Sequence, residues 1–183
     1  MMQMLAAGGL PILADERRVA DPDNPRGYFE FEPATRLARD ASWLSRADGR
    51  AFKLVYALLR ELPSQREYRV ILMRRRLAEV VASQGAMLER RGAPRSELPD
   101  ERWIELFARE LREVETWLRS QPNFALRIVD YNALIEEPRA TAEAVRDFVA
   151  ASLDVDSMAR CVEPALYRRR LPLSGAGERP RRG

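Results

Sequence analysis

Three short apolar runs, spaced so that helical stretches fall between them, constrain the fold of this chain more than any other feature. They are Ala51-Phe52-Lys53-Leu54-Val55, Arg69-Val70-Ile71-Leu72-Met73 and Ala125-Leu126-Arg127-Ile128-Val129. Each is brief and rich in branched or apolar side chains, the composition of strands buried on both faces. The residues between them read as helices. Residues 77–91 have helical character and stop at Gly92, which suits the left-handed turn of a helix end. Over residues 100–120, Trp103, Phe107, Leu111, Val114 and Leu118 form one apolar stripe, with Glu and Arg on the other faces. Pro138 opens a helix that reaches about residue 151, with Val145, Phe148 and Val149 inward. Further helices are expected over residues 34–44 and 157–162, and Met1, Met4 and Leu5 mark one face of a helix over residues 1–7. Strands alternating with helices require crossover connections. The expected fold class is therefore α/β: three layers, a mostly parallel sheet with helices on both faces.

A length of 183 residues suits one domain with a substantial core. The expected limits are residues 1–173, followed by a disordered basic tail over the Gly-, Pro- and Arg-rich residues 174–183. Charge and composition then exclude several function classes. Basic residues number 31 and acidic residues 28, a net +3 that argues against a dedicated nucleic-acid partner. The longest nearly uncharged stretch, residues 1–14, is too short to span a bilayer and is broken by Gly8, Gly9 and Pro11. It also lacks the basic start of a signal peptide, so a cytoplasmic protein without a membrane partner is expected. The chain has no histidine, which excludes Ser-His-Asp and Cys-His catalysis and histidine metal sites. Its one cysteine, Cys161, permits no internal disulfide and no paired-cysteine zinc site, and its setting suggests a small buried side chain. Acid–base chemistry falls to Asp, Glu, Lys, Tyr or the substrate itself.

Three segments carry possible chemistry. Residues 69–83 read as a strand that delivers arginines at its carboxyl end, followed by a helix with a serine two turns in. A ligand crevice is expected at the carboxyl end of a parallel strand. Arg75 there can grip a phosphate bidentately, and Ser83, eight residues on, can reach the same anion. Taken alone, the segment better fits an exposed arginine run with a solvated serine. In Asp23-Asn24-Pro25-Arg26-Gly27-Tyr28-Phe29-Glu30, Pro25 and Gly27 make a turn that aims Tyr28 and Glu30 at a neighbouring pocket. The alternative is a surface loop whose glutamates cap a helix starting near Pro33. Lys53 is the sole lysine among 31 basic residues. It is either a site that needs a compact point charge or a snorkelling strand residue.

In order and spacing, these segments resemble bacterial, cytosolic-type sulfotransferases from Met1 to about Arg170. The family's strand ending in Arg with Ser eight residues later matches Arg75 and Ser83; Glu79 stands where Asp is usual, and Arg76-Leu77 where Asn-Pro is usual. Residues 23–30 are similar to its Asn-Pro-x-Gly-aromatic-x-Glu segment. Residues 127–139, continuing to Phe148, are similar to its strand, Tyr-x-x-Leu-x-x-x-Pro turn and following helix. In that last segment Asp130 reads as a turn cap rather than a crevice residue. The resemblance implies a fold like that of P-loop NTPases and 3′-phosphoadenosine-5′-phosphosulfate as co-substrate, without a metal. Arg75 and Ser83 would hold the 3′-phosphate. Glu30, with Glu32 as rival, would take the proton of a small-molecule or glycan acceptor bearing a hydroxyl or amine. Lys53 would stabilise developing charge, and Arg168 and Arg169 would lie near the terminal phosphate of the nucleotide.

The family's first strand and its Pro-x-Ser/Arg-Gly-Thr/Ser loop, which cradle the 5′-phosphosulfate, have no counterpart in the 183 residues. In the family that loop leads into a helix that residues 1–5 resemble. The expectation is a late start codon, a fragment or a degenerate gene product, with the remaining strands on either side of a missing central one. Two other readings stay open: a non-catalytic nucleotide-binding remnant, and a relative of P-loop nucleoside kinases.

Overall fold

Two of the three apolar runs become strands and pair directly with each other. A computed structural model of the protein describes residues 1–15, 17, 20, 21, 24, 26–90, 92, 94 and 97–163. In it β1 (Tyr68–Arg74) lies parallel to β2 (Phe124–Asp130), with Tyr68 opposite Phe124 and Arg74 opposite Asp130. The Tyr68 and Phe124 rings stack with centroids 5.0 Å apart, and the Tyr68 amide donates to the Asn123 carbonyl at 2.9 Å. Parallel neighbours need a crossover. It is supplied by α2 (Leu77–Arg90) and α3 (Asp100–Ser120), which pack against each other.

Alternation along the strands divides the core in two. On one face Tyr68, Val70, Phe124 and Leu126 meet Val114, Trp117 and Leu118 of α3. On the other, Ile71, Met73 and Val129 meet α1 (Met2–Ala7), α4 (Tyr131–Glu136), α5 (Pro138–Val149) and α6 (Val155–Arg160) through Met4, Leu134, Ala142, Val145 and Met158. Leu118, Val145 and Met158 have no solvent exposure. Burial of side chains of this size stabilises by about 1.5–3 kcal/mol each. The protein is thus a mixed α/β structure with helices on both faces of a small parallel sheet. No helix among the described residues is long and apolar enough to cross a membrane.

The third run is corrected. Of residues 51–55, only Ala51 pairs, in a single parallel bridge with Ile12, so Lys53 does not lie on a strand. Hydrogen bonds show why the ladder stops. Ala51 donates to the Pro11 carbonyl at 2.9 Å, and Leu13 donates to the Ala51 carbonyl at 2.8 Å. The next rung would take the Asp15 amide to Lys53, but that amide donates to the Glu30 carbonyl at 2.8 Å. In the other direction Pro11 has no N–H to give. The side chains around the bridge still alternate between the two cores. Ile12 and Ala51 join the core that holds Ile71 and Met73, while Leu13 and Phe52 join the core that holds Tyr68 and Val70. The middle layer therefore has two pieces, and no backbone ladder joins them among the described residues.

The other helices differ in detail from expectation. Residues 34–44 do not form one helix but two 3₁₀ segments, Glu32–Arg36 and Ser42–Arg46. Asp40 makes the break, because its carboxylate accepts from the Ser42 amide at 2.9 Å and turns the chain there. A further 3₁₀ segment, Tyr56–Glu61, follows the bridge. The last helix begins at Val155 because Asp154 caps it, accepting from the Ser157 amide at 3.1 Å. Asp130 caps α4 as expected, accepting from the amides of Asn132 at 2.8 Å and Ala133 at 2.9 Å. The expected tail over residues 174–183 lies outside the described residues.

Candidate functional site

The carboxyl ends of the parallel strands carry Arg75, the residue that sequence patterning singled out most sharply. Arg75 follows β1 directly. Its Nε donates to the Glu79 carboxylate at 3.0 Å, and Arg76 Nη1 lies 3.9 Å from the same carboxylate. Glu79, in the first turn of α2, is fully buried. The Arg75 guanidinium also lies over the Tyr131 ring, 5.1 Å from its centroid. Tyr131 opens α4 immediately after β2, so the parallel register carries it to Arg75. Ser83 is half-buried on α2. Spacings of four residues place Arg75, Glu79 and Ser83 along one side of that helix and its entry. Arg74 is drawn away to Glu115 on α3. The arginine run is therefore sorted by its partners rather than uniformly solvated.

Glu30 and Lys53 also meet, although no strand carries Lys53. Lys53 Nζ lies 3.5 Å from the Glu30 carboxylate, donates to the Tyr28 carbonyl at 3.3 Å and sits 6.0 Å from the Tyr28 ring centroid. Asp15 positions this segment: its amide bonds the Glu30 carbonyl, and its carboxylate accepts from the Glu32 amide at 2.6 Å. The Tyr28 hydroxyl is held between both carboxylate oxygens of Asp21, at 2.8 and 2.7 Å. Gly27 has φ of 80°, which glycine adopts freely, whereas Phe29 has φ of 50°. A bulky residue in that region is strained, and such strain gathers at functional sites. Glu32, the rival base, instead pairs with Arg17 at 3.5 Å and with Arg36. Asp23 and Pro25 of the same segment lie outside the described residues, as do Arg168 and Arg169.

Cys161 is half-buried and its thiol donates to the Met158 carbonyl at 3.1 Å. Burial pushes its pKa up, so the thiolate is disfavoured and an inert packing role results. Among the described residues, open depressions include two on the surface away from Arg75. A volume of about 530 Å³ borders Arg60, Arg112, Trp117 and Ser120, with Arg60 4.9 Å from the Trp117 ring centroid. It touches none of the residues that the motifs single out. The smaller, about 240 Å³, lies along the end of β2 beside Arg127, Asp130 and Thr141. For anion chemistry, the guanidinium held at the strand ends outweighs either volume.

Sequence patterning missed Asp15, Asp21 and Tyr131, which organise these clusters. Asp15 and Asp21 act on distant backbone and hydroxyl groups and carry no local motif. Tyr131 had a signal, its place just after a strand parallel to the one that ends at Arg75. Comparisons with family models, with curated proteins and with solved structures found no match.

Proposed function

We propose that this chain is a sulfotransferase-like protein with a P-loop-type α/β fold that binds the 3′-phosphate of 3′-phosphoadenosine-5′-phosphosulfate through Arg75 and Ser83. The observation that carries this reading is the line Arg75–Glu79–Ser83 at the carboxyl end of paired parallel strands, where such folds bind ligands. The Arg75 side chain keeps 26% exposure, so an anion has access to a guanidinium already fixed in place.

In the proposed reaction Glu30 takes the proton of an acceptor hydroxyl or amine as that group attacks sulfur. The bond from sulfur to the bridging oxygen breaks, and adenosine 3′,5′-bisphosphate leaves. Lys53, beside Glu30, stabilises charge as it develops. Orientation of the transferred group contributes roughly 7–11 kcal/mol of barrier lowering in reactions of this kind. Calorimetric titration with adenosine 3′,5′-bisphosphate and with adenosine 5′-phosphate tests the site. The reading expects the bisphosphate to bind at least about tenfold more tightly, as charge-assisted contacts to one phosphate provide. Equal affinities would refute it.

A further inference from the structure

The geometry points to Glu79 as a positioning residue that sets the Arg75 guanidinium before an anion arrives. This rests on the reading of Arg75 as the phosphate ligand. Among the described residues, Glu79 is the one charged side chain with no solvent exposure. Burying a carboxylate is costly, and replacing a whole buried ion pair with apolar side chains is often neutral or stabilising, whereas removing one partner alone destabilises. What the burial achieves is visible in the contacts. The carboxylate accepts from Nε of Arg75 at 3.0 Å and lies 3.9 Å from Arg76. A bond at Nε restrains rotation about the end of the arginine chain. The Tyr131 ring, 5.1 Å from the guanidinium carbon, restrains the plane from one side. An arginine held at two points loses little further freedom on binding, which lowers the ordering cost of capture.

Charge and positioning predict opposite signs when Glu79 is replaced. Removing a negative charge beside Arg75 strengthens the local positive field, so a purely electrostatic role makes anion binding tighter. Removing the acceptor that fixes Nε makes it weaker. Glu79→Gln loses the charge but keeps an acceptor oxygen, whereas Glu79→Met and Glu79→Leu lose both.

The test is calorimetric titration of the full chain with adenosine 3′,5′-bisphosphate, with thermal denaturation of each variant. Positioning predicts that Met and Leu at this position weaken binding about tenfold, while Gln stays within about threefold of wild type. Because the Met and Leu variants lose one partner of a buried pair and some stability with it, binding is compared at a temperature where the denaturation curves show every variant folded. In an Arg75→Ala background, Glu79→Met should produce no further loss, because Glu79 acts only through that arginine. Equal or tighter binding by the Met and Leu variants, or an undiminished effect without Arg75, overturns the assignment. If wild type binds no bisphosphate, or Arg75→Ala binds as wild type does, the Arg75 site itself is refuted and Glu79 falls with it. If Arg75→Ala weakens binding and the Glu79 variants do not, positioning alone is refuted.

Discussion

Lys53 Nζ stands 3.5 Å from the Glu30 carboxylate although the backbone ladder that would have placed Lys53 ends at Ala51. The pairing depends on Asp15, whose amide turns from Lys53 to the Glu30 carbonyl and brings the glutamate alongside. Both side chains keep substantial exposure, 46% for Lys53 and 39% for Glu30. Solvent screens such a pair, and it contributes little to folding. Lys53→Ala should therefore cost less than about 1 kcal/mol in chemical denaturation. A loss well beyond that would show a structural role and weaken the case that the only lysine is kept for chemistry.

Tyr56 should be resistant to deprotonation. Desolvation, with its hydroxyl bonded to the Glu110 carboxylate and the negative charge nearby, pushes its pKa up to about 12 from an ordinary value near 10. The folded state thus favours the protonated phenol. Its contribution to stability is fully present below pH ~10 and is lost as pH rises towards ~12. Burial pushes Tyr68 up as well, so absorbance titration should show fewer tyrosinates forming near pH ~10 in the folded protein than in denaturant, with a signal near pH ~12 belonging to Tyr56. Tyr56→Phe should remove the signal near pH ~12 and reduce the alkaline fall in stability, leaving the part due to Tyr68. Persistence of the late-titrating signal in Tyr56→Phe would assign it elsewhere.

The end of α5 offers a gain in stability. Ala150 adopts φ of 52° and ψ of 43°, and its amide donates to the Arg146 carbonyl at 3.0 Å. A left-handed conformation costs a residue with a Cβ roughly 1–2 kcal/mol, and glycine avoids most of it. The side chain is exposed, so its removal sacrifices no packing. Ala150→Gly should raise stability by about 1 kcal/mol, or ~2–4 °C in Tm for a chain of this size. An unchanged or lower midpoint would contradict this account of the helix end.

Elements determined by local periodicity were legible in the sequence. The stripe from Trp103 to Leu118 marks α3 with its observed limits, and Pro138 marks the start of α5. The second and third apolar runs form strands because each finds the other as a partner. The run at 51–55 shows the limit of that reasoning, since a strand exists only where a neighbour supplies its hydrogen bonds. The neighbour of Lys53 was redirected by Asp15, a non-local event with no trace in residue spacing. In the candidate site, the Arg75–Glu79 contact follows from a spacing of four at a helix start. The Tyr131 ring against Arg75 follows only from strand register, which no single segment encodes.

The central claim is that Arg75 is the anchor of a phosphate site, and calorimetric titration of wild type and Arg75→Ala with adenosine 3′,5′-bisphosphate tests it most directly. Circular dichroism of the variant would confirm that the fold is intact. Loss of a charge-assisted hydrogen bond predicts weaker binding by ~1.5–3 kcal/mol, which is roughly 10- to 150-fold in Kd. Equal affinity of the two proteins for the bisphosphate would contradict the account.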